Sequence, residues 1–230
     1  MDASTTRRSL PEPEEIVLDL SGARLGGALA LPADAQGIVL FAHGSGSSRH
    51  SPRNRYVAEV LQRAGLGTLL MDLLTRDEEA IDQYTRQHRF DIGLLADRLT
   101  GAVDWLGQNP ATRELPIGLF GASTGAAAAL RSAAARPERV SAVVSRGGRP
   151  DLAGDALPAV RAPTLLIVGA NDEPVISLNE SARRQMKADA RLTLVPGATH
   201  LFEEPGTLAQ AAALAKDWFL EHLVETHDKP

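Results

Sequence analysis

The chain has 230 residues, 43% of them hydrophobic and 23% charged, which suits one α/β domain around one core and excludes disordered and fibrous classes. It contains no Cys, and this removes disulfides, thiolate metal sites and cysteine nucleophiles together. A formal net charge of -5 with a pI near 5.7 gives no general attraction to phosphate backbones or anionic lipid, so neither nucleic acid nor a membrane is an expected partner.

Met1 to Glu15 combines charges and prolines with no apolar run of the kind that forms a signal-peptide core, so residues 1–15 are expected to be a flexible tail. Residues 226–230 form a second tail, and 16–225 one domain. Runs such as Ile38 to Ala42 are far too short to cross a bilayer, and a cytoplasmic location is expected. Ile16 to Leu20 and Arg24 to Leu31 form an opening antiparallel pair turned at Ser21-Gly22. Ile38 to Ala42 is the next strand, followed by the loop His43-Gly44-Ser45-Gly46-Ser47-Ser48.

Ser51-Pro52 then starts a helix, because a hydroxyl caps free amides and proline suits the first turn. It runs to Ala64 and is stopped by Gly65. Leu66 to Met71 is a strand, and the charge-rich stretch Leu73 to Arg89 reads as a loop with at most one helical turn, a candidate flap. Asp91 caps a helix whose Leu94, Leu95, Leu99, Val103 and Leu106 follow helical spacing. Further on come the strand Pro116 to Phe120, the helix Thr124 to Arg136, the strand Val140 to Ser145, and a connection, Arg146 to Ala162, too short for a lid domain. The strand Thr164 to Val168, the helix Ser177 to Ala188, the strand Leu192 to Val195 and the helix Leu208 to Val224 complete the chain. Alternating short apolar runs and helical segments predict a mainly parallel sheet with helices on both faces. Right-handed crossovers then gather the loops that follow the strands at one edge.

Three of those loops carry chemistry. Gly121-Ala122-Ser123-Thr124-Gly125 fits G-x-S-x-G between a strand and a helix, a turn tight enough to push a serine hydroxyl out over the sheet edge; the bland reading is a glycine-bounded turn. A serine needs a base from elsewhere in the chain. Of six histidines, His200 follows the last strand on the same edge, where the bland reading is an exposed loop residue. Asp172, after the strand Thr164 to Val168, is placed to accept the other imidazole N–H; in isolation it reads as a turn residue bonded to its own backbone, with Glu173 and Asp151 as alternatives. The order Ser, Asp, His is the one this architecture uses.

Acyl transfer also needs donors for the developing oxyanion, and the candidates are the backbone amides of Thr124 and Ser45, with Gly46 next. Arg49, Arg53, Arg55, Arg146 and Arg149 fall on the same edge. Arg53 and Arg146 are candidates for steering an anionic ester or lactone, against the alternative of solvated charges paired with Asp77, Glu78 and Glu79. His43 is expected to brace its own loop, and His50, His88, His222 and His227 to be exposed. No metal-ligand spacing, P-loop or dinucleotide fingerprint occurs, so no metal or cofactor is expected.

His43-Gly44-Ser45-Gly46, Gly121-Ala122-Ser123-Thr124-Gly125, Gly169-Ala170-Asn171-Asp172 and Pro196-Gly197-Ala198-Thr199-His200 together resemble the α/β-hydrolase superfamily, and the compact, uncapped layout is similar to the dienelactone hydrolase family over Ile16 to Val224. The resemblance implies a Ser123–His200–Asp172 triad and an acyl-enzyme intermediate. It departs in the nucleophile: typical dienelactone hydrolases carry cysteine where this chain has Ser123, which points toward a carboxylesterase of small esters or lactones. The other readings are the same triad acting on a thioester, amide or phosphotriester, and a non-catalytic binding module on this fold. A monomer or homodimer is expected.

Overall fold

A computed structural model describes residues 10–20 and 22–224; Ser21 of the first turn, most of the N-terminal tail and all of the C-terminal tail lie outside them. One eight-stranded sheet runs through the molecule in the order β1-β2-β4-β3-β5-β6-β7-β8. β1 (Glu14–Leu20) and β2 (Ala23–Ala30) pair antiparallel. β2 meets β4 (Gly67–Met71) antiparallel as well. β3 (Ile38–Ala42), β4, β5 (Ile117–Ala122), β6 (Val140–Arg146), β7 (Thr164–Gly169) and β8 (Ala190–Val195) are mutually parallel. The strands buried on both faces read as unbroken apolar runs, as buried parallel strands must.

Two cores separate by face. Val39, Phe41, Phe120 and Val144 point toward α1 (Pro52–Arg63) and α6 (Thr207–Leu223). Leu40, Leu69, Leu119 and Val143 point toward α3 (Ile92–Gln108) and α4 (Thr124–Ala135). Neighbouring residues of one strand therefore serve opposite layers, which is the period-two rule of a pleated strand. Ser51 and Asp91 cap α1 and α3 as their sequence positions predict, accepting the amides of Asn54 and Leu94.

Several boundaries differ from expectation. β1 begins at Glu14, because Glu14 and Glu15 pair with Leu29 and Ala28, so these two residues belong to the sheet and not to the tail. α5 (Glu173–Gln185) starts four residues early, with Pro174 inside its first turn, where proline's missing N–H is harmless. Pro150–Ala159 forms a 3-10 segment kinked at Gly154.

Within Leu73 to Arg89, expected to be a loop, α2 (Arg76–Thr85) forms. Thr75 and Glu78 make a reciprocal capping box, a T-x-x-E signal present in the sequence but masked by the solvated outer face, where Ile81 and Tyr84 are exposed. Arg98 on α3 grips Glu78 with two hydrogen bonds of 2.5 and 2.6 Å and holds its carboxyl at about 2, below the ordinary 4.5. A depressed carboxyl contributes stability above its unfolded pKa and loses it as pH falls toward the folded value. The Tm difference between the wild type and Glu78→Gln is therefore expected to be full above about pH 5 and to shrink steadily below it. A difference that stays constant in acid would contradict this anchoring of α2.

Candidate active site

The strand order reverses at β3. The chain leaves β3 for β4 on one side and later returns as β5 on the other, and crevices at such a switch point hold ligands in open α/β sheets. The loop His43 to Ser48 and the turn at Ser123 both rise from this point, since Ala42 pairs with Gly121 at the strand ends. β6, β7 and β8 follow in order, so Arg146, Asp172 and His200 come off adjacent strand ends.

Ser123 has φ +51° and ψ -123°, a conformation L-residues avoid, and one that costs about 1–3 kcal/mol where the surroundings impose it. The surroundings here are tight. A Cβ on Gly125 would lie 2.3 Å from the Ala42 carbonyl oxygen, and one on Gly121 would lie 2.4 Å from Ala126 Cα, so α4 seats against β3 and β5 only with glycine at both positions. Ser123 makes no side-chain capping bond to α4, which leaves its hydroxyl available.

His200 Nδ1 bonds to Asp172 Oδ2 at 2.8 Å. With Asp172 accepting, Nδ1 carries the proton and Nε2 is left as the basic nitrogen. Asp172 occupies the N-cap position of α5 yet its carboxylate makes no capping bond, contrary to a turn residue serving its own backbone. Of the alternatives, Asp151 is held by two hydrogen bonds from Arg149 (2.9 and 2.8 Å), and Glu173 is exposed. The two loops are stitched together by Asn171 N–H to the Ala198 carbonyl and Asn171 Nδ2 to the Gly197 carbonyl.

A cleft of about 210 Å3 is lined by Ser123 and His200 together with Ser45, Arg53, Arg146 and Leu201. Gly46 instead lines a second cavity of about 480 Å3, which shares Gly44, Ser45, Ser47 and Ser51 with the cleft and where Leu73, Leu74, Leu95 and Gln83 also lie. The two expected oxyanion donors are held by their own side chains. Ser45 Oγ and Thr124 Oγ1 share a 2.9 Å hydrogen bond, and Ser45 Oγ also reaches the Arg89 carbonyl at 3.3 Å. Among the described residues, neither the Ser45 nor the Thr124 N–H has a backbone acceptor. The Thr124 amide belongs to the first turn of α4, the positive end of its dipole.

His43 braces its loop as expected. Nε2 accepts from Leu73 N–H at 3.1 Å, so the proton is on Nδ1, which faces the Gly44 carbonyl at 2.9 Å. Burial pushes its pKa down, leaving a neutral structural histidine. His88 and His222 differ from expectation: both are half-buried, the latter with its ring centroid 4.3 Å from that of Trp218, while His50 is exposed and His227 lies outside the described residues.

The arginines sort by partner. Arg49 pairs with Asp72 and Glu15, Arg149 with Asp151, and Arg53 with the exposed Glu203. Arg146 has no acidic partner among the described residues and is buried. Ser47 joins the cleft from the loop His43 to Ser48, and Asn54 and Ser51, to which sequence reasoning gave no role in the site, join it because α1 begins there. Their only signal was the capping motif itself.

The model of the dienelactone hydrolase family matches residues 25–226. The chain belongs to that family. A solved structure of a dienelactone hydrolase from Anabaena variabilis ATCC 29413 is 62% identical, with a TM-score of 0.91 over 93% of this chain and 99% of that one. Est1E from Butyrivibrio proteoclasticus shares the fold at a TM-score of 0.75 with 17% identity, over 90% and 98% of the two chains. Two Mycobacterium tuberculosis proteins that carry the name phosphoribosyl transferase are 58% identical over 210 residues, 91% of this chain and 46% of theirs. The chain thus spans about half the length of those curated relatives. Among the described residues of this dienelactone hydrolase family member, no helix is long and apolar enough to cross a membrane.

Proposed function

We propose that this chain hydrolyses small carboxylic esters or lactones through an acyl-enzyme on Ser123. The observation that carries the reading is the Asp172–His200 hydrogen bond beside a serine held at positive φ in the same cleft. His200 Nε2 takes the Ser123 proton as Oγ attacks the carbonyl carbon, and the tetrahedral oxyanion accepts from the Ser45 and Thr124 amides. Collapse breaks the ester bond, with His200 returning the proton to the leaving alcohol. Water then attacks the acyl-enzyme by the same route and frees the acid and Ser123. Arg53 and Arg146 belong to this reading as substrate-binding residues, and the 480 Å3 cavity beside Gly46 gives room for the rest of the substrate. The phosphoribosyl transferase name describes proteins of which the chain spans 46%, and the site on this half supports hydrolysis.

A labelled fluorophosphonate followed by mass mapping tests the assignment: label is expected on Ser123, and capture at another serine would overturn it. A panel of ester, lactone, amide, thioester and phosphotriester substrates then separates the bond types. The Ser45–Thr124 bridge makes a further prediction. Thr124→Val removes the hydroxyl and keeps the shape, and is expected to lower kcat about 5- to 10-fold with KM little changed, the worth of one hydrogen bond. Ser45→Ala should do the same, and the double variant should be no worse than either single one. Additive losses in steady-state kinetics would mean that the two hydroxyls do not act as one lock.

A further inference from the structure

Arg146 enters the cleft from the carboxyl end of β6, where it pairs in register with Ala122 and its carbonyl accepts the Ser123 amide at 3.3 Å. Only 6% of the residue is exposed. A guanidinium offers five N–H donors and keeps its charge inside proteins, so burying one without a carboxylate leaves a desolvation cost uncompensated. Nη2 donates to Asn54 Oδ1 at 3.4 Å, and Cζ lies 5.7 Å from the centroid of the Phe202 ring. Nε and Nη1 have no acceptor. Burial, and after it the neighbouring charge of Arg53, push the pKa down to about 10, which still leaves Arg146 cationic at neutral pH.

Donors gather around this unanswered cation, although Arg53 is shared with the exposed Glu203 at 3.2 Å. Arg53, Ser47 and Ser51 line the same cleft, and no Asp or Glu does. The 12-residue helix α1 starts there, with no acidic residue in its first turn to offset its positive end. We propose that this corner is a phosphate subsite, and that the substrate opened by Ser123 is a small ester or lactone bearing a phosphate group held by Arg146 and Arg53 at the N-terminus of α1. The proposal rests on Ser123 being the nucleophile.

The donor count favours phosphate over carboxylate. The guanidiniums of Arg146 and Arg53, the Ser47 and Ser51 hydroxyls and the Arg53 amide, the one first-turn N–H of α1 left over by Pro52, the Ser51 cap and the Arg55 bond to the Ser51 carbonyl, offer more donors than the roughly four lone pairs of a carboxylate accept, whereas a phosphate monoester presents three acceptor oxygens and close to two negative charges at neutral pH. Subsite and serine share about 210 Å3, so only a few bonds separate the phosphate from the scissile carbonyl.

Thermal melting with inorganic phosphate reads the subsite without catalysis. At constant ionic strength phosphate is expected to raise the Tm of the wild type while acetate does not, because a ligand of the native state alone stabilises it. In phosphate-free buffer Arg146→Met is expected to melt no lower than the wild type, the buried unpaired charge being gone, and its Tm should no longer respond to phosphate. In hydrolysis of p-nitrophenyl acetate, phosphate should inhibit the wild type competitively, with at least about tenfold weaker inhibition in Arg146→Met, the size expected for lost charged hydrogen bonds. Arg53→Gln, at the exposed rim, should weaken inhibition several-fold and serves if the buried variant fails to fold. Equal response to acetate and phosphate, both lost with Arg146, would overturn phosphate in favour of a carboxylate. No response to either, or a response kept by Arg146→Met and Arg53→Gln, would overturn the subsite. Ester hydrolysis without any phosphate effect sinks this inference and leaves the hydrolase reading standing; a phosphate-dependent Tm without hydrolysis keeps the phosphate subsite but sinks the hydrolase reading and, with it, the phosphorylated ester or lactone as substrate.

Discussion

Ser123→Ala is expected to reduce kcat on a small ester by about 10^4-fold or more, to the level the remaining binding groups sustain, while the fold is kept. The side chain at 123 is not used to cap α4, so nothing structural depends on its hydroxyl. Ser123→Gly separates function from stability. Glycine adopts the +51° φ of this position without the penalty an L side chain meets, and should raise stability by about 1 kcal/mol while being just as inactive. Urea titrations beside ester kinetics check both halves. A Ser123→Ala protein that retains wild-type turnover would remove the acyl-enzyme from consideration, and a Ser123→Gly protein less stable than wild type would mean that the elbow is not strained.

Asp172→Asn is expected to cost about 10^4-fold in kcat with little change in substrate binding. The carboxylate accepts from His200 Nδ1 at 2.8 Å; an amide that turns its NH2 to the ring favours the tautomer with the proton on Nε2, where the base is needed. Glu173→Gln and Asp151→Asn provide the controls. Glu173 is exposed and Asp151 is committed to Arg149, so each is expected to stay within about threefold of wild type, as surface or separately paired groups do. If Glu173→Gln fell as far as Asp172→Asn, the acid would have been assigned to the wrong neighbour.

The parallel sheet was legible because its strands are apolar runs bounded by Gly, Pro and Asn, and because periodicity switches where helices start. α2 was not: its capping box was in the sequence, but its period is weak since it rests on ion pairs, Glu78 with Arg98 and Asp82 with Arg89, more than on an apolar face. The start of α5 was misplaced for a related reason. Asp172-Glu173-Pro174 reads as a turn, and only the bond drawn from Asp172 to His200 shows that the helix begins without using that carboxylate as its cap.

Local chemistry determined the pieces of this protein. Glycine spacing around Ser123 and the caps at Ser51 and Asp91 follow from what individual side chains do to their own backbone, and such short-range preferences are written in neighbouring residues. Tertiary structure decided the pairings. Arginines 49, 53, 146 and 149 are equivalent as letters, yet three find carboxylates and Arg146 is left buried without one. Charge compensation depends on distances across different strands and on the loss of water around them, and those quantities exist only once the chain has folded.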